Sequence, residues 1–563
     1  MTPRDPAVVR PGAAALAVTS LRRGTPATTR LLGAASAAQR SLGRWGLVAL
    51  TFALVCGLVT HGYHLFQYPL YSTDEGIYIE RAWAVIREDR LSPQTYFYDH
   101  APAGWLQLAV WEFLLPRHFE TFGNPVNSGR VLMLLVHLAS VFFLFEIARK
   151  LSGGLLAPMI ATFFFNFSPL AVYYQRMMLL DNLMVFWVLL SIYLLLLLRR
   201  RAVLFAGFWS GLAFGVSVVT KENAIFFAPT IFYLLYRRAR GDPSRRFAIT
   251  LWVFAAGAII SAYFLYATLK GELFPPQIDF SLTHQPQGHV SLLYELWYQV
   301  HRNQGTVFNH GSFLYAMWLP KDKYLLAGGT AAMLVSLWLG WRNKERNLGF
   351  LVAGTLALEI AFYLARGSVI LDFYVIPLIP MFALCIGLVA DRALKALPSP
   401  LARVAAVVVP ALAAALLLSP TGSYLLTHDP QTGKLKPNDV YYLPLTYLQN
   451  EQIAWIRAHV PPTARIISDD DIWVALHEGS PSYTYDQSHF EAASDPAVRN
   501  KIFGGNWRNI DYIVLSNGMK HAMIMNNTGG RESYILDALD NHSTEVWHAS
   551  RGKVSLAIYK VQK

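Results

Sequence analysis

The chain has 563 residues, of which 54% are hydrophobic and only 15% are charged, and its mean hydropathy is +0.32. This composition is too apolar for an ordinary soluble protein and indicates a membrane protein. The net charge is +12. In a protein with several spans, excess Lys and Arg is typical of cytoplasmic connections, so we expect no nucleic-acid partner. Cys56 and Cys385 each lie in an apolar run, which argues against a disulfide framework.

The first 45 residues combine seven arginines with many Ala, Pro, Gly and Thr residues and contain no long apolar run. They predict a disordered cytoplasmic tail over 1–45. The apolar run from Trp45 to His61 lacks a small-residue cleavage site, and further apolar runs follow it. We therefore interpret it as a retained first helix and not as a signal peptide.

Apolar runs of roughly the 20 residues that a bilayer span needs follow one another along the chain. About eleven spans are predicted, near 46–66, 130–148, 155–174, 180–198, 203–219, 222–236, 247–269, 323–341, 347–365, 369–390 and 401–419. Lys and Arg collect in alternate connections, as basic residues do on the cytoplasmic side. With the tail inside, the long connections 67–129 and 270–322 lie outside. The predicted fold class is mainly α, a polytopic membrane protein whose membrane domain covers 46–419.

The last part of the chain, 420–563, is polar and follows the final span. It shows a helical pattern over Thr446 to His459 and strand patterns at 464–468, 511–516 and 553–561. These patterns predict a small extracytoplasmic α/β domain. In the first outer loop, the apolar run from Gly104 to Leu115 is too short to span a bilayer but suits a helix that lies in the interface.

Two pairs of polar residues in the first outer loop could carry chemistry. Asp74 and Glu75 are adjacent acids shortly after the first span, and Asp99 and His100 close the same loop. Adjacent acids in a loop are often only solvated or cap a helix, and an Asp-His pair is often only a turn. Their position at the membrane surface favours a functional role, because ionisable groups there are costly.

Several cations lie on the predicted outer side, against the usual preference for the inside. Arg130 opens the second span, Lys221 separates the fifth and sixth, and Arg366 follows the ninth. Such cations suggest an anionic partner, and phosphate suits both Arg and Lys. Arg176 and Asp181 share one outer turn and could simply pair with each other.

Other site types have less support in the sequence. No Gly-rich Walker loop, no Gly-x-Ser-x-Gly elbow and no His-Glu-x-x-His pair is present. His284 and His289 in the second outer loop could contribute to a metal site, although loop histidines usually have no such role. We therefore predict no resident metal site and leave open whether Mg²⁺ or Mn²⁺ assists.

Together these residues resemble the membrane glycosyltransferases of the GT-C class, within the superfamily of protein O-mannosyltransferases and aminoarabinose lipid A transferases. The resemblance covers most of residues 46–390. It depends on these segments, in this order: Asp74-Glu75, Tyr98-Asp-His-Ala-Pro, Gly129-Arg-Val-Leu, Arg176-Met-Met-Leu-Leu-Asp-Asn, Gly211-Leu-Ala-Phe-Gly-Val-Ser-Val-Val-Thr-Lys and Phe373-Tyr-Val-Ile-Pro-Leu-Ile-Pro. Each motif is weak alone, and the order and spacing make the set more specific.

The resemblance implies an enzyme that uses a polyprenyl-phosphate sugar on the extracytoplasmic side of a bacterial plasma membrane, with a protein, lipid or glycan as acceptor. Asp74 then matches the catalytic base and Glu75 its neighbour, and Asp99 joins the catalytic set. The donor phosphate is expected near these residues: Arg130, Lys221, Arg366 and His100. Arg176 and Asp181 have supporting roles. His100-Ala-Pro departs from the usual His-Pro-Pro or Lys-Pro, which leaves the role of His100 open.

The expected reaction is a single, inverting displacement in which Asp74 takes the proton of an acceptor hydroxyl. A flippase or other transporter for lipid-linked sugars is the first alternative, but it should place polar groups near the membrane midplane on broken helices. A non-catalytic receptor built around the C-terminal domain is the second. Such a receptor would not explain why the membrane domain contains these charged residues.

Overall fold

The computed structural model describes residues 27–197, 203–276, 290–301, 313–344, 346–365, 371–398, 444–527 and 530–563, and isolated residues between 400 and 415. Side chains are described from residue 43 onward. Residues 50–563 form one compact unit.

Helices dominate the apolar part of the chain. They are α1 (Ala27–Gly62, with Gly43 non-helical), α2 (Thr73–Arg87), α3 (Ala103–Leu114), α4 (Pro125–Ser152), α5 (Leu156–Phe167), α6 (Pro169–Tyr174), α7 (Leu180–Leu197), α8 (Val203–Thr220), α9 (Ala228–Arg238), α10 (Arg245–Leu269), α11 (Leu292–His301), α12 (Leu319–Lys321), α13 (Lys323–Arg342), α14 (Leu348–Ala365) and α15 (Leu378–Lys395). Among the described residues, eight helices are long and apolar enough to cross a membrane. The prediction of a mainly α, polytopic protein is confirmed.

The number of eleven spans remains a prediction. The predicted span 155–174 is divided into α5 and α6 because Pro169 follows Ser168, whose hydroxyl caps α6 by accepting a hydrogen bond from Ala171 N. The predicted span 222–236 begins as a 3₁₀ helix and continues as α9. The last predicted span, 401–419, falls mostly outside the described residues.

The helix α8 packs closely against α10. Gly207, Gly211 and Gly215 repeat every four residues on α8 and contact the backbone of α10 at Ala248, Trp252 and Ala256. Small residues at this spacing let two membrane helices approach closely. The sequence pattern of α8 therefore fixes the position of the residue that follows it, Lys221.

The C-terminal region forms a five-stranded sheet with helices, as the sequence predicted. Its strands are β1 (Ile466–Ser468), β2 (Asp486–Ser488), β3 (Tyr512–Leu515), β4 (Ser543–Arg551) and β5 (Val554–Val561), in the order β2-β1-β3-β5-β4. Its helices are α16 (Thr446–His459), α17 (Asp470–Glu478), α18 (His489–Ser494), α19 (Met519–Asn526) and α20 (Ser533–Asn541). The first three strands in this order are parallel, and β5 and β4 are antiparallel additions. The sequence patterns missed β2 and β4.

The C-terminal region packs directly on α2, the helix that carries Asp74. Trp83 Nε1 donates a hydrogen bond of 2.6 Å to Glu478, and Arg87 makes two bonds of 2.8 and 2.7 Å to the same carboxylate. Near the start of α2, a β-carbon on Gly76 would overlap the backbone of Asp470 at the start of α17. The helix with the candidate base is therefore positioned by the C-terminal domain.

We expect Gly76→Ala to destabilise the protein, because the added methyl group meets backbone atoms that cannot rotate away. Overpacking of this kind costs about 1–3 kcal/mol. Gly257→Ala in α10 is the matched control, since no atom lies within 4 Å of its added β-carbon. Thermal unfolding of the full chain in detergent measures the effect. Equal melting temperatures for the two variants would contradict the close approach of α2 and α17.

Candidate active site

Asp74 lies in the first turn of α2, whose N-terminus is fixed by a capping box. The Ser72 side chain accepts a hydrogen bond from Glu75 N, and the Glu75 carboxylate accepts one from Ser72 N. These two reciprocal hydrogen bonds are typical of a helix N-terminus at which Ser is followed three residues later by Glu. It places Asp74 at the positive end of the helix dipole, where a carboxylate is stabilised.

The Asp74 carboxylate makes no hydrogen bond or ion pair with the described part of the protein. Burial raises the pKa of its carboxyl group to about 6; Lys221 and His100 lower it, and Asp372 and Asp181 raise it further. These four groups come from distant parts of the sequence. The fold therefore brings together three of the predicted site residues with Asp74, and adds Asp372.

Glu75 has a different environment from Asp74, although the two are adjacent. It forms a completely buried ion pair with Arg130, with bonds of 2.8 Å from Nε and 2.7 Å from NH2. It also accepts a bond of 2.9 Å from Met178 N. Arg130 donates further to the carbonyl oxygens of Pro69 and Leu70. All these donors are used within the protein, so the geometry favours a structural role for this pair over the expected roles in catalysis and phosphate binding.

Lys221 and Asp181 form a second buried ion pair, 2.5 Å long. Asp181 lies in the first turn of α7 and Lys221 follows α8, so the pair joins the ends of two neighbouring helices. The Lys221 ammonium also lies 5.0 Å from the ring centre of Phe373 and 4.7 Å from that of Tyr374. Asp181 therefore pairs with Lys221 and not with Arg176, contrary to one sequence expectation. Its other carboxylate oxygen has no hydrogen-bond partner among the described atoms.

Asp372 is a site residue that sequence reasoning missed. Its carboxylate accepts a bond of 3.0 Å from Tyr174, and its backbone oxygen accepts one of 2.7 Å from Trp318. Its position one residue before the Phe373 motif was the available signal.

His100 is held by another residue that was not singled out, Glu222. Its Nδ1 lies 3.2 Å from Glu222 Oε2, and the other oxygen of Glu222 accepts a bond of 2.5 Å from Ala101 N. Tyr96 donates a bond of 2.7 Å to the His100 carbonyl oxygen. Glu222, the residue after Lys221, thus fixes the segment that contains His100 and Ala101.

Asp99 is paired with Arg81, a residue of α2 that the sequence analysis did not weigh. The two side chains approach to 3.0 Å, and Arg81 also stacks over Trp105 at 4.9 Å. Burial raises the pKa of Asp99, but Arg81 and His100 lower it more, so that the net pKa is below its ordinary value. Asp99 is therefore a weaker base than Asp74.

Of the remaining predicted residues, Arg176 lies beside the first span, and the others lie outside the residues that the structure describes. Arg176 is buried beside the first span, donates to the carbonyl oxygens of Thr60 and Tyr63 at 2.7 and 2.6 Å, and lies over the ring of Tyr68. It therefore supports the fold near the site. Arg366, His284 and His289 lie outside the described residues. No group of three or more His, Cys, Asp or Glu residues in the described part could hold a metal ion.

The chain is similar to known proteins in part of its sequence and in its fold. Residues 110–268 match the sequence model of the dolichyl-phosphate-mannose-protein mannosyltransferase family, which is less than half of the chain. A search of curated protein sequences gives no significant match. In structure, the chain is similar to ArnT from Cupriavidus metallidurans, which was solved with bound undecaprenyl phosphate. The TM-score is 0.54 and the sequence identity is 17%, and the match covers 92% of this chain and 98% of ArnT.

A second similar structure is the oligosaccharyltransferase of Archaeoglobus fulgidus, with a TM-score of 0.55 and 12% identity over 90% of this chain and 74% of that one. Both are GT-C glycosyltransferases. The chain has the GT-C fold. The similarity noted from the sequence motifs is thereby confirmed at the level of the fold, and the matched mannosyltransferase segment, 110–268, supports glycosyl transfer in general terms.

Within this GT-C fold the site combines one carboxylate without a partner among the described residues and one firmly held cation. Asp74 has a raised pKa and therefore can accept a proton near neutral pH. Lys221 is held in place by Asp181 and by two aromatic rings. The Lys221 ammonium is close enough to Asp74 to lower the pKa of that carboxyl group.

Proposed function

We propose that the protein transfers a sugar from a polyprenyl phosphate to an acceptor hydroxyl, with Asp74 as the general base, on the extracytoplasmic side of the membrane. The observation that carries this proposal is the contrast between two adjacent acids. Glu75 is neutralised by Arg130, whereas Asp74 has no such pair among the described residues and has a pKa of about 6. A desolvated carboxylate that is not bonded to a cation has a cost in stability that a role as base explains.

In the proposed reaction, the acceptor oxygen attacks the anomeric carbon while Asp74 takes the hydroxyl proton. The bond between that carbon and the phosphate oxygen breaks at the same time, and the bonding electrons leave with the polyprenyl phosphate. Because phosphate is a competent leaving group, one base and one cation are sufficient. The single displacement inverts the anomeric centre and needs no covalent intermediate.

Lys221 is the proposed contact for the donor phosphate. Its ammonium group donates one bond to Asp181, and an ammonium carries three donors, so further bonds are available. Asp181 would orient it, and the rings of Phe373 and Tyr374 would exclude water from it. Arg366 remains a second proposed phosphate contact on sequence grounds.

Asp99 and His100 are proposed to position the acceptor and not to take its proton. The Arg81 guanidinium holds the pKa of Asp99 below its usual range, so this carboxylate is a weak proton acceptor. His100 is tied to Glu222 through Nδ1, which leaves Nε2 as the nitrogen that can face a substrate. Both residues close the loop above the site.

The rate of transfer should depend on pH through Asp74. Because only the ionised carboxylate accepts a proton, kcat/KM should rise tenfold per pH unit below about 6 and become constant above it. Lys221 lowers the pKa of Asp74, so Lys221→Met should move the inflection to higher pH. Measured profiles from pH 4.5 to 8.5, recorded for both proteins, test this. A parental rate that falls as the pH rises through 6 would exclude Asp74 as the base.

The stereochemistry of the product tests the proposed function itself. Purified protein is supplied with lipid-linked sugars of known anomeric configuration and with simple acceptors, and the product is analysed by NMR. We expect the anomeric configuration to be inverted. A retained configuration would overturn the single displacement, and a lack of product with every donor would favour the flippase or transporter.

A further inference from the structure

Two acidic side chains meet where α2 packs on the C-terminal domain. Glu80 lies one helical turn after Gly76, whose added β-carbon would overlap the backbone of Asp470. The carboxyl groups of Glu80 and Asp470 share a hydrogen bond, and both residues are buried. We call Glu80 and Asp470 the acid pair. It connects the helix that carries Asp74 to the first residue of α17.

The hydrogen bond within the acid pair requires a proton. An ionised carboxylate only accepts hydrogen bonds, so two ionised carboxylates repel each other and cannot form one. Oε2 of Glu80 and Oδ1 of Asp470 are buried, and neither receives a hydrogen bond from an amide, hydroxyl or guanidinium group of the described residues. At least one of the two carboxyl groups is therefore neutral when α2 and α17 are in contact.

The groups around the acid pair are mostly acidic. Glu491 on α18 acts on both carboxyl groups, and its own buried Oε2 has no hydrogen-bond partner among the described residues. The other charged or titratable groups that face the acid pair or Glu491 are Arg81, Asp469, Asp471, His489 and Asp495. Acids outnumber basic groups in this set, so the surroundings favour proton uptake by the acid pair.

The two basic groups nearby are held by other acids. Arg81 pairs with Asp99 at 3.0 Å, and His489 Nδ1 lies 3.3 Å from Glu532. Within the described part of the chain, neither basic side chain forms an ion pair with a member of the acid pair. A proton, and not a cation, therefore neutralises the acid pair.

We propose that the acid pair is a proton-binding site that fixes the C-terminal domain on α2, so that docking weakens as the pH rises. When the proton leaves for solvent, Glu80 and Asp470 become two adjacent buried carboxylates, and their repulsion favours separation of α2 from α17. This inference is independent of the proposed transfer reaction, because it uses neither Asp74 nor Lys221.

The direction of the pH effect follows from proton uptake in the two arrangements. Burial is the main cause that raises the pKa of Glu80 and the pKa of Asp470 well above their ordinary values. Once unfolded and exposed to water, each group would return to a pKa of about 4. The docked arrangement thus retains protons that the unfolded chain loses above that pH. Each retained proton therefore weakens folding by up to about tenfold per pH unit.

Thermal unfolding of the full chain in detergent, recorded at pH 6 and pH 8, tests the proposal. The higher pH should lower the folding equilibrium constant of the parent by up to about a hundredfold for each retained proton. In Glu80→Gln the side-chain amide can donate to ionised Asp470, so no proton is needed and the decrease should be smaller. The melting temperature of this variant relative to the parent should therefore rise with pH. Asp89→Asn removes an exposed acid just after α2 and, as the matched control, should keep the parental pH dependence.

A second variant and a local measurement separate the proposed site from a general change in the fold. Asp470→Asn removes the same proton site from the other side and should also reduce the pH dependence. Hydrogen exchange at the two pH values should locate the difference between parent and variants in Thr73–Arg87 and Asp470–Glu478. Equal pH dependence in the parent and both variants would overturn the proposal. A parent that becomes more stable relative to the variants as the pH rises, or a difference confined to other segments, would overturn it as well.

Discussion

Asp74→Asn should reduce sugar transfer by about 10²–10⁴-fold, the range that a general base typically contributes. The substitution keeps the size of the side chain and its capacity for hydrogen bonds but removes the basic carboxylate. Because Asp74 makes no ion pair with the described residues, its replacement should not unfold the protein. Donor binding should survive, since the proposed phosphate contact, Lys221, is unchanged.

Two controls make the result for Asp74 specific. Asp89→Asn removes an exposed carboxylate that lies just after α2 and should leave turnover at the parental level. Asp99→Asn should raise KM for the acceptor before it lowers kcat, because Asp99 is a weaker base held by Arg81. Turnover and donor binding are measured on the same detergent-purified variants. Parental turnover by Asp74→Asn would move the assignment of the base to Asp99 or Asp372.

Arg130→Met should destabilise the fold by about 3–5 kcal/mol, as is typical when one partner of a buried ion pair is removed. The Glu75 carboxylate would then stay completely buried without its cation. Thermal unfolding followed by tryptophan fluorescence measures this decrease in stability. This expectation differs from that of a phosphate contact, whose removal would weaken donor binding and leave stability unchanged.

The double variant, Glu75→Gln with Arg130→Met, tests the same pair from both sides. Gln keeps an oxygen that can accept the hydrogen bond from Met178 N, but it carries no charge that needs a partner. Much of the stability that Arg130→Met removes should therefore return. If the double variant is no more stable than Arg130→Met, the cost does not come from an uncompensated charge, and the structural role of the pair is wrong.

The sequence predicted the features that depend on local patterns. Hydropathy runs located most of the helices, and the polar pattern after 420 indicated an α/β region, of which α16 was predicted with the same limits as observed, Thr446–His459. The strands β2 and β4 were missed: β2 has only three residues, too few for an alternating pattern, and β4 has one exposed face and one that is only half-buried, with no fully buried residue. Burial of one face is what gives a strand its sequence pattern.

For the candidate site, the sequence identified individual residues but not their partners. Glu75 was predicted to take part in catalysis and Arg130 to bind the donor phosphate. The two residues are 55 positions apart, and the fold joins them in a buried ion pair. Asp181 was placed with Arg176 in the same turn, but the fold pairs it with Lys221, 40 positions away. Such contacts depend on how helices pack and have no local signal. For the same reason, the close contact between Gly76 and α17 was not foreseen.

The most direct test of the account is acceptor-dependent release of polyprenyl phosphate from a lipid-linked sugar by the protein in detergent. In micelles no leaflets separate the two sides, so transport leaves no product and only chemistry is detected. We predict release by the parent and a decrease of about 10²-fold or more in Asp74→Asn. Binding of the lipid-linked sugar without release, or equal release by both proteins, would contradict it.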